Sequence, residues 1–259
     1  MDLSVIRDAD VVVIGAGQAG LAVSRALAGA GVECVVLERD RVASAWRHRW
    51  DSFTLVTPNW TIRLPEGGYQ GDDPDGFLRR DEVVAHLAAY AASSPVPVLE
   101  GVSVTGLEPA QDSRILLRTS MGDVTVRTVV VCTGSFSRPY RPVAAALPSA
   151  IQVLDAVDYR RPDDVAPGTV VVVGSGQTGC QLAEELHREG RDVVLACGRA
   201  PWIPRRLDGR DTLYWLAEAG FLDAPLSSLP GAAFTSTVTL TESVRFSSFS
   251  SASTIDASV

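Results

Sequence analysis

The 259-residue sequence predicts an α/β fold in two halves. Two stretches, ADVVVIGAGQAGLAVSRAL at 9–27 and TVVVVGSGQTGCQLAEEL at 169–186, each run from an apolar strand through Gly-x-Gly-x-x-Gly into a helix. Each is then followed by a second apolar run, ECVVLERD at 33–40 and DVVLACGR at 192–199, completing a βαβ unit. One such glycine motif is weak evidence. Two, each between a strand and a helix, define two Rossmann-like dinucleotide-binding domains.

In chain order, DVVVI is a buried parallel strand, its continuous apolar run implying helices on both faces. Residues 41–80, rich in Trp, Pro, Gly and Asp, read as a long irregular excursion over the site. RRDEVVAHLAAYAASS is a helix stopped by Pro95 and Pro97. Short β runs follow at VPVLEG, VSVTGLE, RILLRTS and DVTVRTVVVCTG, the last ending in a Thr-Gly turn. The first domain is expected over 1–150, a linker over 151–168 and the second domain over 169–226, with DTLYWLAEAGF as a late helix. Residues 227–259 turn serine- and threonine-rich and are expected to be disordered.

The glycines have distinct tasks. Gly15 and Gly174 make the tight turn out of the strand, and Gly17 and Gly176 lack the Cβ that would block a pyrophosphate. Gly20 and Gly179 let helix and strand pack closely. Gln18 in the first loop and Ser175, Gln177 and Thr178 in the second complete two helix N-termini suited to phosphate. The residue ending the second strand sorts the nucleotides. Glu38, beside Arg39, suits an unphosphorylated ribose, whereas Arg199, with Arg205 and Arg206 beyond it, suits a 2′-phosphate. This pairing is most simply read as FAD in the first site and NADPH in the second, donating hydride to the flavin.

Composition excludes other classes. All 23 basic residues are arginine, which removes Schiff-base and P-loop lysines, and a net charge of −8 disfavours nucleic acid and anionic membranes. Cys34, Cys132, Cys180 and Cys197 form no Cys-x-x-Cys, and His48, His86 and His187 lie far apart, so neither a disulfide framework nor a metal site is expected. No signal peptide or membrane span is read at the N-terminus, and the expected location is cytoplasmic.

With GAGQAG and VVLERD, the stretches WRHRWDSFTLVTPNW, GFLRRDEVVAHLAAYA, VVVCTGSFSRPYRP, GSGQTGCQLAEEL and GRAPWIPRR are similar to the flavin-containing monooxygenase family, in its bacterial NADPH-dependent branch, over residues 9 to about 225. The resemblance implies an FAD domain with an inserted NADPH domain. It implies that NADPH reduces FAD and that O₂ adds to give a flavin C4a-hydroperoxide, which oxygenates a small organic substrate. It places Trp46, Thr57 and Asn59 near the isoalloxazine, and Thr133 and Gly134 near the FAD phosphates; Val104 joins the expected cofactor contacts. Asn59 either steadies the flavin–oxygen adduct by hydrogen bonding or is a turn residue after Pro58.

Two departures stand out. In LDAVDYRRP, Asp155 stands where the family often has a histidine, while Tyr159 keeps the aromatic. The family's last FAD-domain strand and Gly-Asp turn have no counterpart after about Leu229, which points to a truncation or shifted frame and an incomplete FAD domain with an exposed sheet edge. Two other readings stay open. A flavin disulfide reductase needs a redox cysteine pair, and a non-catalytic nucleotide-binding remnant would account for the tail.

Overall fold

The computed structural model describes residues 4–136, 138–139, 141, 148–198, 203–225 and 242–245. The chain divides into two compact units, Met1–Pro139 and Tyr140–Val259, so the linker segment groups with the second unit and the first ends earlier than position 150.

The first unit is built on a parallel sheet of β1 (Val11–Ile14), β2 (Cys34–Glu38), β3 (Val98–Glu100) and β7 (Thr128–Val131), in the order β3-β2-β1-β7. Helix α2 (Gln18–Gly29) joins β1 to β2, and α4 (Arg80–Ala92) precedes β3. A strand's side chains alternate between faces. Val11, Val13, Cys34 and Val36 therefore pack with Leu21, Val83, Val84, Leu87 and Tyr90 beneath the two helices.

The opposite residues, Val12, Ile14, Val35 and Leu37, face a different layer. This is an antiparallel sheet of β4 (Val104–Pro109), β5 (Ile115–Thr119) and β6 (Gly122–Val126), contributing Leu117, Val124 and Val126. A short α1 (Ser4–Asp8) adds the fully buried Ile6. The apolar strands thus have two covered faces as expected, but one cover is a sheet rather than helices. Either cover satisfies the same apolar demand. The run DVTVRTVVVCTG also divides, because β6 pairs antiparallel with β5 while β7 pairs parallel with β1, Val11 opposite Thr128. The ion pair Arg127–Asp10, 2.8 Å, marks the division.

In the second unit β8 (Val170–Val173) and β9 (Val193–Cys197) pair in parallel, with α5 (Gln177–Arg188) between them in sequence. Leu182, Ala183 and Leu186 of α5 are buried, as are Val193 and Leu195 of β9. A small hairpin, β10 (Arg206–Leu207) with β11 (Arg210–Asp211), leads into α6 (Thr212–Glu218), whose N-terminus is capped by Asp211 accepting from the Leu213 N–H at 2.9 Å. Strand β12 (Glu242–Arg245) pairs antiparallel with β9. It lies inside the stretch expected to lack structure; the alternation at the start of the serine-rich segment is the sequence signal for it.

Candidate dinucleotide sites

The strands β1, β2 and β7 end together, and the loops leaving them converge at the point where the sheet order reverses. Open α/β sheets bind ligands there. Gly15 turns out of β1 with φ +106°, a conformation that favours glycine, and its N–H donates to the Leu37 carbonyl at 2.7 Å. A Cβ on Gly15 would sit 2.5 Å from the Cys132 carbonyl oxygen, so the Thr133–Gly134 turn after β7 lies directly beside the first glycine loop.

A Cβ on Gly20 would meet the Gly15 carbonyl oxygen at 1.9 Å. That is the close helix–strand approach expected of the third glycine. Gly17 is different. It caps α2 with ordinary extended backbone (φ −83°, ψ −175°), and a Cβ there would meet nothing within 4 Å. The space in front of it is open, and no side chain caps the first N–H groups of the helix that starts at Gln18. Those groups and the partial positive end of the helix dipole form an anion cradle.

Glu38 closes the other side. It is 7% exposed, and its carboxylate accepts from the Ala16 N–H at 2.8 Å and the Asp40 N–H at 3.1 Å. A carboxylate offers about four acceptor positions, so two bonds to backbone leave others for ribose hydroxyls. Arg39 is exposed next to it. The Val102 N–H donates to the Glu38 carbonyl at 2.8 Å, and the half-buried Val104 follows two residues after Val102.

The excursion after β2 is tied to the same place. The Ala43 N–H donates to the Ala16 carbonyl at 3.0 Å, and the Val42 N–H donates to Glu100 at 2.7 Å. These bonds fix α3 (Ser44–Arg47), which carries the half-buried Trp46 in contact with Phe53, ring centroids 5.7 Å apart. Glu100 is a site-shaping residue that sequence reasoning missed, because a carboxylate at a strand end carries no motif.

Asn59 is buried, 2% exposed, at the start of a single 3-10 turn after Pro58. Its side-chain amide bridges the excursion: Nδ2 donates to the Asp73 carbonyl at 2.9 Å and Oδ1 accepts from the Leu78 N–H at 2.7 Å. This geometry makes Asn59 a clasp within the excursion, and the amide keeps a second Nδ2 proton beyond the bond to Asp73. Thr57, just before Pro58, is half-buried. Neither Asn59 nor Thr57 has a described hydrogen bond to the glycine loop.

The second loop repeats the first in backbone terms. Gly174 has φ +107° and its N–H donates to the Ala196 carbonyl at 3.0 Å; Gly176 caps α5 facing open space. A Cβ on Gly179 would meet the Gly174 carbonyl oxygen within bonding distance. Ser175 precedes the cap, and Gln177 and Thr178 open the helix. The loops differ at one point. A Cβ on Gly174 meets nothing, since β8 is the edge of its sheet among the described residues, whereas β1 is flanked by β7.

Arg199 lies outside the described residues. Arg205 pairs with Asp211 at 2.9 Å, and Arg206 is exposed on β10. All four cysteines are free thiols, and burial raises the pKa of Cys34 and Cys132. Among the described residues no cluster of His, Cys, Asp and Glu could hold a metal, and no helix is long and apolar enough to cross a membrane.

Two glycine loops of this geometry in one chain are the backbone framework of two Rossmann-like units. The chain belongs to the pyridine nucleotide-disulphide oxidoreductase family, whose model matches residues 12–218, and within it the chain resembles flavin-containing monooxygenases. Among curated relatives, an uncharacterized oxidoreductase CzcO-like of Geobacillus kaustophilus is 34% identical over 225 residues, 86% of this chain and 64% of the relative. The indole-3-pyruvate monooxygenase YUCCA1 of Oryza sativa subsp. japonica is 32% identical over 78% of this chain and 51% of its own length. Among solved structures, a flavin-containing monooxygenase from Stenotrophomonas maltophilia superposes with a TM-score of 0.70 at 26% identity, over 81% of this chain and 63% of that one. The chain thus spans less than two thirds of these relatives. Membership carries with it a flavin and a pyridine nucleotide as the cofactors of the family.

Proposed function

We propose that this chain binds FAD at the Gly15–Gly20 loop and NADPH at the Gly174–Gly179 loop and acts as an NADPH-dependent flavoprotein monooxygenase on a small organic substrate. The observation that carries the reading is the match of each glycine to its task. The third glycine of each loop has no room for a Cβ, while the middle glycine faces open space at an uncapped helix N-terminus. FAD, when bound, supplies the capacity to accept hydride from NADPH and to activate O₂.

The protein's own groups bind and orient. The N–H groups opening α2 take the diphosphate, Glu38 takes the ribose, and Thr133–Gly134 flank the phosphates from the β7 side. Trp46 and Thr57 line the flavin end, and Arg39 and Val104 the nucleotide end. Asn59 acts as a positioning residue, holding the 54–79 excursion closed so that water is kept from the reacting centre. In the second loop Ser175, Gln177 and Thr178 surround the NADPH diphosphate, with Arg199 on the 2′-phosphate. The sequence has no Cys-x-x-Cys spacing, which favours this reading over disulfide reduction by a pair of thiols exchanging electrons with the flavin.

Purified protein supplied with FAD tests the proposal. Expected are a flavin absorption band near about 450 nm that co-purifies with the chain, and O₂-dependent NADPH oxidation exceeding that with NADH. Failure to retain FAD would refute the first assignment. FAD binding without NADPH oxidation would leave a nucleotide-binding module.

A further inference from the structure

Arg49 is a half-buried guanidinium surrounded by three aromatic rings, with no carboxylate partner among the described residues. Its Cζ lies 4.9 Å from the centroid of Phe136, 5.7 Å from Phe53 and 6.0 Å from Trp46. Burial lowers its pKa from the ordinary arginine value, with no neighbouring anion to offset that. Two neighbouring guanidiniums are committed: Arg47 donates to the Val42 carbonyl at 3.1 Å, and Arg80 pairs with Asp51 at 2.7 Å and Asp81 at 2.8 Å. Holding an uncompensated cation among rings gains some cation–π attraction but also costs hydration. Such a cation is suited to an anion that arrives from outside.

The rings come from the two loops that flank the sheet's reversal point. Trp46 and Phe53 lie on the loop after β2, and Phe136 lies on the loop after β7, four residues past Cys132, whose carbonyl touches the Gly15 turn. A short relay of backbone bonds joins Arg49 to the glycine loop: Arg49 N–H to the Trp46 carbonyl at 3.0 Å, Trp46 N–H to the Ala43 carbonyl at 2.9 Å, and Ala43 N–H to the Ala16 carbonyl at 3.0 Å. The Arg49 carbonyl is held in turn by Arg80 at 3.3 Å. The Arg49 backbone is thus tied to the first glycine loop through α3, and its guanidinium lies among rings from the two loops that flank that glycine loop.

Resting on the FAD assignment above, we propose that Arg49 is the side-chain counter-cation of the FAD diphosphate, completing a cradle in which the α2 N-terminus supplies the N–H groups. The chain contains no lysine that could take this role, and a planar guanidinium suits paired phosphate oxygens.

The test is the dissociation constant of FAD from the full chain, at low salt and at about 0.5 M salt, for the parent, Arg49→Met and Arg49→Lys. Methionine keeps a long apolar stem against the rings, so packing changes little. Arg49→Met is expected to bind FAD about tenfold or more weakly at low salt, with the gap closing at high salt and lysine recovering most of the affinity. An equal loss at both salt concentrations would mean that the residue only packs, overturning the proposal. Unchanged affinity for oxidised FAD together with a lowered flavin reduction potential would place the cation against the isoalloxazine instead, and would also overturn it. If the parent binds no FAD, the functional reading itself fails; if the parent binds and Arg49→Met matches it, only the Arg49 assignment falls.

Discussion

Replacing Gly17 and Gly20 separately by alanine should divide binding from folding within a single loop. A methyl at position 20 lands 1.9 Å from the Gly15 carbonyl oxygen and 3.1 Å from its carbon. Carbon–oxygen contacts settle near about 3.3 Å, so the loop and the start of α2 must part by roughly 1.4 Å. Both sides are backbone and neither can rotate away. Overpacking of this kind costs roughly 1–3 kcal/mol, and the upper end applies here. For a unit of this size that lowers the melting temperature by roughly 10 °C. The alanine at 17 enters open space with a backbone conformation any residue adopts. Its gain of about 0.4–1 kcal/mol through the unfolded chain is offset by alanine's weakness as an N-cap, so the melting temperature should stay within about 2 °C. On the proposed function that methyl would nevertheless fill the space assigned to the diphosphate. Scanning calorimetry of the FAD-free proteins, with FAD titrated by flavin fluorescence, measures both effects. Gly20→Ala should melt early, whereas Gly17→Ala should melt normally and bind FAD at least tenfold more weakly. Equal melting losses in the two variants, or normal FAD binding by Gly17→Ala, would refute the reasoning.

Three further outcomes are expected. Glu38→Gln leaves one acceptor oxygen for the Ala16 and Asp40 N–H groups, and should lower stability by about 1–3 kcal/mol in urea unfolding while weakening FAD. Asn59→Ala leaves the Leu78 N–H without its acceptor and the Asp73 carbonyl with only the Gly76 N–H, so amide exchange at Leu78 should quicken tenfold or more while amides in β1 and β2 keep their protection. Tyr159 donates its hydroxyl to Glu185 at 2.9 Å, and its burial foremost holds its pKa above the ordinary 10.0; burial raises Tyr90 as well. A folded pKa above the unfolded one contributes stability that is intact below about pH 10 and is lost as pH climbs toward the folded value. Absorbance titration at high pH should show Tyr90 and Tyr159 ionising late, and Tyr159→Phe should flatten part of the alkaline loss of stability.

What could be read in the sequence was whatever a local pattern enforces. The valine runs of β1 and β2 and the paired glycines signal buried strand, tight turn and helix within a few residues. Each glycine then occupies the geometry its task requires. Glu38 was legible for the same reason, as it ends β2, although its grip on the Ala16 N–H was not. What was not legible depends on partners distant in sequence. Asn59 is defined by backbone groups 14 and 19 residues later in irregular chain, which no periodicity encodes. The covering layer over Val12 and Leu37 was read as helical because an apolar strand records that it is covered, not by what. The break between β6 and β7 was hidden for a similar reason: both strands are apolar, and only their pairing partners differ. Arg49 sits in a run of aromatics whose convergence requires the loops of two distant strands.

Strand β7 has a consequence of its own. It is the outermost strand of its sheet among the described residues, and Val131 at its end is 58% exposed. A parallel strand paired on one side only presents a row of backbone donors and acceptors to whatever strand approaches. That row lies next to the Thr133–Gly134 turn, so crowding along it would reach the nucleotide site directly. If the proposed site holds flavin, protein that associates edge to edge along β7 on concentration is expected to release it as it does so.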